Sequence, residues 1–232
     1  MNFLFFLLLY LSLSLSSLEY LAGEGYGEKN WGVRALDVFT IINVLIAYIE
    51  ISLSLTLPTI LHQFSSLLQS NLPPSKVVLN FLISPSFLTI TNFHRLQTWS
   101  QIWSTYALYD ISYVTPTSAG YAIDVMNGYT TLLPSLLFLS LSFGLVTEAD
   151  LPPSLNARAL GCVVGCVYYQ MAFNTFVYLF SYFRNSRHRG RGVMEVACAV
   201  GLTNGTWIAG GLGGVAVAWM IVRDDNFEVF KG

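Results

Sequence analysis

A helix needs about 20 consecutive apolar residues to cross the hydrocarbon core of a bilayer, where lipid offers no partner to backbone N–H and C=O groups. Five segments of this 232-residue chain approach that length: 3–18, 35–58, 119–146, 159–183 and 196–222. The expected fold class is therefore all-α, an integral membrane bundle of about five transmembrane helices. Composition agrees. Only 10% of residues are charged and 54% are hydrophobic, with a mean hydropathy of +0.57, whereas a soluble domain carries about a quarter charged residues. The formal charge of −2 includes no basic tract dense enough to neutralise a phosphate backbone, which excludes nucleic acid and leaves the lipid bilayer as the first partner.

The segments divide the chain into an N-terminal transmembrane helix and loop over 1–34, a bundle over 35–222 and a polar tail over 223–232. Segment 3–18 follows only Met1 and Asn2, without a basic flank, and reads as a retained helix rather than a signal peptide. Arg184, Arg187, Arg189 and Arg191 fill the loop between the last two segments and favour its placement on the cytosolic side, with the C-terminus in the lumen. Residues 59–100 form an irregular insertion of serine, leucine and proline, interrupted by Pro73, Pro74 and Pro85. A re-entrant or interfacial piece and a weakly ordered insertion both fit it. The odd cysteine count disfavours a disulfide framework; Cys162 and Cys166 read as small packing residues, with no histidine nearby to complete a metal site. His62, His94 and His188 fall outside the spans and read as solvated.

A charge at the bilayer centre costs about 2.5 to 3.5 kcal/mol, so an intramembrane acid needs a reason. Glu50 and Asp124 lie deepest; the other acids, such as Asp37, Glu148, Asp150 and Glu195, sit at segment ends or in loops. Of two carboxyl groups sharing a low-dielectric cavity, one can donate a proton while the other accepts one. The fourth segment adds Tyr168, Tyr169, Gln170, Asn174 and Tyr178, and the fifth places Asn204 and Trp207 on one helix face. An indole ring turns a negative face to a cation. Acids, an amide and an aromatic face suit a carbocation intermediate. Gly210, Gly211, Gly213 and Gly214 allow close helix approach, and no Gly-rich phosphate loop or metalloprotease motif is present.

The run Trp103-Ser-Thr-Tyr106-Ala-Leu-Tyr-Asp110-Ile-Ser-Tyr113 resembles the WxxYxxxDxRY signature of the emopamil-binding protein family, with its EXPERA domain and sterol Δ8-Δ7 isomerases. Asp124 follows where that family has an intramembrane glutamate, the stretch from Gln170 to Tyr178 is similar to its QxxYGxxLYF element, and Asn204-Gly-Thr-Trp207 to its Asn-x-x-Trp. The resemblance implies a five-helix protein of the endoplasmic reticulum membrane that takes a sterol or polycyclic isoprenoid, needs no cofactor and leaves room for a homodimer. It implies that Asp124 manages the proton, Asn204 positions that carboxyl, Trp207 faces the carbocation, and Trp103, Tyr106, Asp110, Tyr113 and Tyr178 shape the substrate cavity. Glu50 stands for the acid of a His-x-x-x-Glu element whose histidine is here Ile46. Ser112 replaces the signature arginine, and Tyr182 an acid ending the fourth helix.

Three expectations follow. The first is an acid/base isomerase that shifts a sterol double bond. The second is a relative that isomerises or cyclises a terpenoid in specialised metabolism, and the third a sterol-binding protein of the same fold without catalysis.

Overall fold

A computed structural model describes residues 2–23, 29, 31–84, 89, 91–152 and 155–230, all helix, turn and loop among the described residues. Among the described residues, five helices are long and apolar enough to cross a membrane: α1 (Phe3–Ala22), α2 (Trp31–Leu55), α6 (Ala119–Ser142), α7 (Ala157–Arg184) and α8 (Val193–Asp224). Between α2 and α6 come the shorter α3 (Leu57–Gln69), α4 (Pro74–Ile83) and α5 (Leu96–Tyr106), then a 3₁₀ turn, Ile111–Val114. The protein is an all-α, multi-pass membrane bundle, and the spans exceed or trim the apolar segments by about one turn at most.

The insertion is the main difference from the sequence reading. Instead of irregular chain it holds α3, α4 and the start of α5. Proline is the reason: Pro58 and Pro74 stand in the first turns of α3 and α4, where a missing N–H costs nothing and the fixed φ favours entry. Just beyond α3 stands Asn71, whose φ of 52° is the left-handed conformation asparagine tolerates past a helix end. Helices α3 and α4 each bury one stripe, Ile60 with Phe64 and Val77 with Phe81, at the i, i+4 spacing of an amphipathic helix. Pro85 lies outside the described residues.

The chain forms two compact units. The first comprises Met1–Tyr10, Ala47–Tyr129 and Phe176–Asn204. Its core is aromatic. Trp99 packs against Phe6 at 5.5 Å between ring centroids, and Ser100 and Ser104 of α5 donate to Gln63 Oε1 of α3 at 3.1 and 3.2 Å.

The second unit comprises Leu11–Ile46, Thr130–Thr175 and Gly205–Gly232. Here α8 lies close on α7: a methyl group added at Gly211 would stand 2.9 Å from the Ala172 Cβ, and one at Gly214 would fall inside van der Waals distance of the Tyr168 ring. Added at Gly210, it would meet the Phe39 ring at 2.5 Å, while Gly213 faces open space. Three of the four glycines thus serve close approach. Cys162 and Cys166 are exposed on α7 rather than packed inside. The hydroxyls of Thr40 and Tyr168 are hydrogen-bonded, and the Asn43 amide donates to Ser135 Oγ at 3.0 Å and Thr131 Oγ1 at 3.3 Å.

One acid read as lying at a segment end is enclosed. Asp37 is fully buried, pairs with Lys29 Nζ at 3.1 Å and accepts from Ser142 Oγ at 2.6 Å, while Lys29 also donates to Ser142 Oγ at 2.9 Å and lies 4.1 Å above the Phe143 ring. Burial draws the Lys29 amine below its ordinary pKa, and the Asp37 charge opposes that fall. Removing one partner of such a pair strands the other without compensation. Lys29→Ala is expected to lower stability by about 3 to 5 kcal/mol, and the double change to Lys29→Met with Asp37→Leu to recover most of it. Thermal unfolding of the detergent-solubilised protein measures both.

Candidate functional site

Within the first unit α2 and α6 meet where α6 lacks a side chain. A methyl group at Gly128 would lie 2.8 Å from the Ile51 nitrogen, 2.9 Å from Glu50 Cβ and 3.0 Å from the Ala47 carbonyl oxygen. Asp124 stands one turn earlier on the same face of α6. Its charge is felt at Glu50, so the two deepest acids share one neighbourhood. Glu50 is 5% exposed and Asp124 is partly buried.

Helix α5 and the 3₁₀ turn bring the aromatic residues to these acids. The Trp103 indole donates to the Ile49 carbonyl at 2.9 Å and to Ser52 Oγ at 3.3 Å, tying α5 to α2 beside Glu50. Ring centroids of Tyr113 lie 5.2 Å from Trp103, 5.0 Å from Tyr106 and 6.3 Å from Tyr178, within the range of favourable aromatic pairs. Tyr113 hydrogen-bonds the Asp124 carboxylate. Burial pushes the Tyr113 phenol well above its ordinary pKa, with Asp124's charge the next cause. Burial raises Tyr106 likewise, beyond the neutral range, although its hydrogen bond with Tyr178 opposes the shift. Both phenols therefore stay protonated and able to donate at physiological pH. The Tyr106 hydroxyl also donates, at 3.3 Å, to the Ala199 carbonyl of the π-helical stretch Ala197–Leu202 in α8. Such π segments recur at functional sites.

Asp110 anchors the other side of the cluster and is fully buried. Its Oδ1 accepts from the Ser112 backbone nitrogen at 2.9 Å; its Oδ2 accepts from the Tyr178 hydroxyl at 2.8 Å and Arg187 Nη1 at 3.1 Å. Charge-assisted bonds of this kind compensate the burial of the carboxylate.

Glu50, Trp103, Tyr106, Asp110, Tyr113, Asp124 and Tyr178 thus come together. Asn204 lies in the same unit, where its amide donates to the Val200 carbonyl at 2.7 Å, one turn back on its own helix. Trp207 belongs to the second unit and packs edge-on against Phe39 at 5.7 Å. The sequence reading took Arg187 only as a marker of topology, whereas it neutralises Asp110; its position beyond α7, where the chain folds back, gave no periodic signal. His188 is not a solvated residue either: its ring is partly buried, 5.4 Å from Phe183 and 6.5 Å from Tyr182. Its Nδ1, the Ser112 Oγ and the Tyr182 hydroxyl are buried without a hydrogen-bond partner among the described residues.

The fold and site define a multi-pass membrane protein with a paired-acid cluster lined by tyrosines. No family model, curated protein or solved structure matches the chain.

Three substitutions probe this geometry. Gly128→Ala is expected to cost about 1 to 3 kcal/mol by overpacking α2 against α6, while Gly205→Ala, which faces open space, leaves the melting temperature unchanged. Tyr182→Phe removes a buried unpaired hydroxyl and is expected to be neutral or stabilising by up to about 1 kcal/mol, read from the same melting curves.

Proposed function

We propose that this chain is a membrane-embedded acid/base isomerase that shifts a carbon–carbon double bond in a sterol, of the Δ8 to Δ7 type, through a carbocation. The observation that carries the reading is the meeting of Glu50 and Asp124 across Gly128, beside the buried phenols of Tyr106 and Tyr113. A carboxyl group delivers a proton to one alkene carbon, leaving a tertiary cation on the other. A carboxylate then takes a proton from the adjacent carbon, and the electrons of that C–H bond form the relocated alkene. Protons and electrons balance, so the chemistry draws on no cofactor. In the first unit, the tyrosine rings offer negative faces to the cation, and the neutral hydroxyl of Tyr113 holds the Asp124 carboxylate in place. The resemblance to the emopamil-binding protein family supports the same substrate class and residence in the endoplasmic reticulum membrane.

A second reading keeps the chemistry and changes the substrate to another terpenoid. It is favoured by the altered polar side of the cluster, where Ser112 and Tyr182 stand in place of an arginine and an acid and Asp110 takes its cation from Arg187 instead. A third, binding without turnover, rests on Ile46 in place of the family's histidine.

Expression in yeast lacking its own sterol Δ8-Δ7 isomerase, with sterols profiled by mass spectrometry, tests all three. The sterol reading expects Δ7 sterols to return, Asp124→Asn to abolish them, and Glu50→Gln to lower them by about a hundredfold or more, the scale of a lost general acid or base. Undiminished turnover by Asp124→Asn would remove the acid assignment. Unchanged Δ8 sterols, with the protein present in the membrane, would favour a terpenoid substrate, or binding alone if labelled sterol is retained unaltered.

A further inference from the structure

Apart from the acid cluster, the first unit contains a groove of about 450 Å³ built partly from the insertion, a volume ordinary for small-ligand pockets. Leu67 and Leu68 of α3, Leu72 beyond it and Ile111 of the 3₁₀ turn form its apolar wall, and Arg187 and Arg191 form a cationic part. Leu68, Leu72 and Ile111 are 56%, 42% and 52% exposed, so the wall is open and apolar. A surface of that kind is stable in lipid or under a ligand and costly in water.

The arginines are held in place. Arg187 Nη1 binds Asp110 at 3.1 Å and Nη2 binds Ser181 Oγ at 3.4 Å; Arg191 Nη2 binds the Leu108 carbonyl, and its guanidinium lies 5.4 Å from the Tyr109 ring centroid. A guanidinium has five N–H donors, so these contacts leave others for an anion. Charge at this end is positive: Arg184, Arg187, Arg189 and Arg191 face two nearby acids, Asp110 and Glu195, the first neutralised by Arg187 and the second set against Tyr109, whose phenol is pushed up to about 12 by burial and by Glu195. Arg184 closes the span α7, and Arg187, Arg189 and Arg191 lie in the loop between α7 and α8, hence at a membrane surface, where phospholipid headgroups reside.

We propose that this groove is a binding site for one anionic phospholipid, with its phosphate-bearing headgroup at Arg187 and Arg191 and an acyl chain along Leu67, Leu68, Leu72 and Ile111. Charge complementarity selects the headgroup, and the exposed leucines select a chain attached to it. The site is separate from the paired acids Glu50 and Asp124; Arg187, which shares its guanidinium with Asp110, links it to the other side of the cluster.

Native mass spectrometry of the full-length chain, released from detergent micelles containing equal amounts of phosphatidylserine and phosphatidylcholine, tests the proposal. Phosphatidylserine is expected to be retained about fivefold or more over phosphatidylcholine, with Arg191→Gln reducing that preference by about fivefold, the effect of one interfacial arginine. Leu68→Gln is expected to weaken retention of phosphatidylserine while inorganic phosphate at millimolar concentration leaves it bound. Equal retention of the two lipids would overturn the proposal. So would complete displacement by inorganic phosphate, which would make the site a bare anion site, or an unchanged preference in Arg191→Gln protein of wild-type melting temperature. Arg184→Gln, outside the groove lining, serves as the matched charge control and is expected to change the preference by less than Arg191→Gln.

Discussion

The absence of a side chain at position 128 is the constraint on which the candidate site depends. Helices normally pack about 8 to 10 Å apart, held off by their side chains. With a methyl group at Gly128 already within 3.0 Å of three atoms of α2, these two backbones approach as closely as glycine allows. That approach sets Asp124 and Glu50 near each other in a medium where either charge alone is costly. It also fixes where α5 must go, because the Trp103 indole reaches the α2 carbonyl of Ile49, the residue immediately before Glu50. The aromatic residues of the Trp103–Tyr113 run are thereby delivered to the acids by a backbone contact rather than by their own attraction to charge.

Asp110 solves a different problem. A fully buried carboxylate must be matched by donors, and it is matched three times, by a backbone nitrogen, a phenol and a guanidinium. The backbone bond closes the turn that aims Tyr113, and the phenol belongs to α7, so one carboxylate ties the short elements of the insertion's end to a membrane span. The two acids of the α2–α6 contact have no such cationic partner among the described contacts. Structural acid and candidate chemical acid are therefore distinguished by what surrounds them: a paired charge on one side of the cluster, phenols and a second carboxyl on the other.

Much of this was legible in the sequence, and the reasons differ by element. The spans follow from apolar length, because lipid imposes one rule on all five. Glu50 and Asp124 stood out for the converse reason, as polar residues where polarity is expensive. The helices of the insertion were obscured because Pro73 and Pro74 were read as breaks and Pro58 as the end of a span, whereas Pro58 and Pro74 occupy first turns that proline favours. Lys29 and Asp37 were missed because their pairing is tertiary: Ser142 completes it from a helix more than a hundred residues away. Asn204 and Trp207 share a helix face in the sequence, yet the first bonds its own backbone and the second packs with Phe39; helical spacing gives a face and does not say what meets it.

The surroundings of Asp110 show how a buried acid can draw its cation from a distant part of the chain. Position 112, where the resembling signature carries its cation, is a serine whose hydroxyl is buried and unpartnered among the described residues, and Gly120 lies so near that an added methyl group would fall inside van der Waals distance of it. An arginine at 112 would require that space to be reorganised. The cation instead arrives from the loop after α7, on a residue whose backbone nitrogen bonds the Tyr182 carbonyl at 3.2 Å. Because Arg187 is only 13% exposed and its partner fully buried, the pair is shielded from salt far more than a surface bridge would be. The cation on the polar side of the cluster is thus supplied by the loop after α7 rather than by the 3₁₀ turn, and that side becomes answerable to whatever the loop binds.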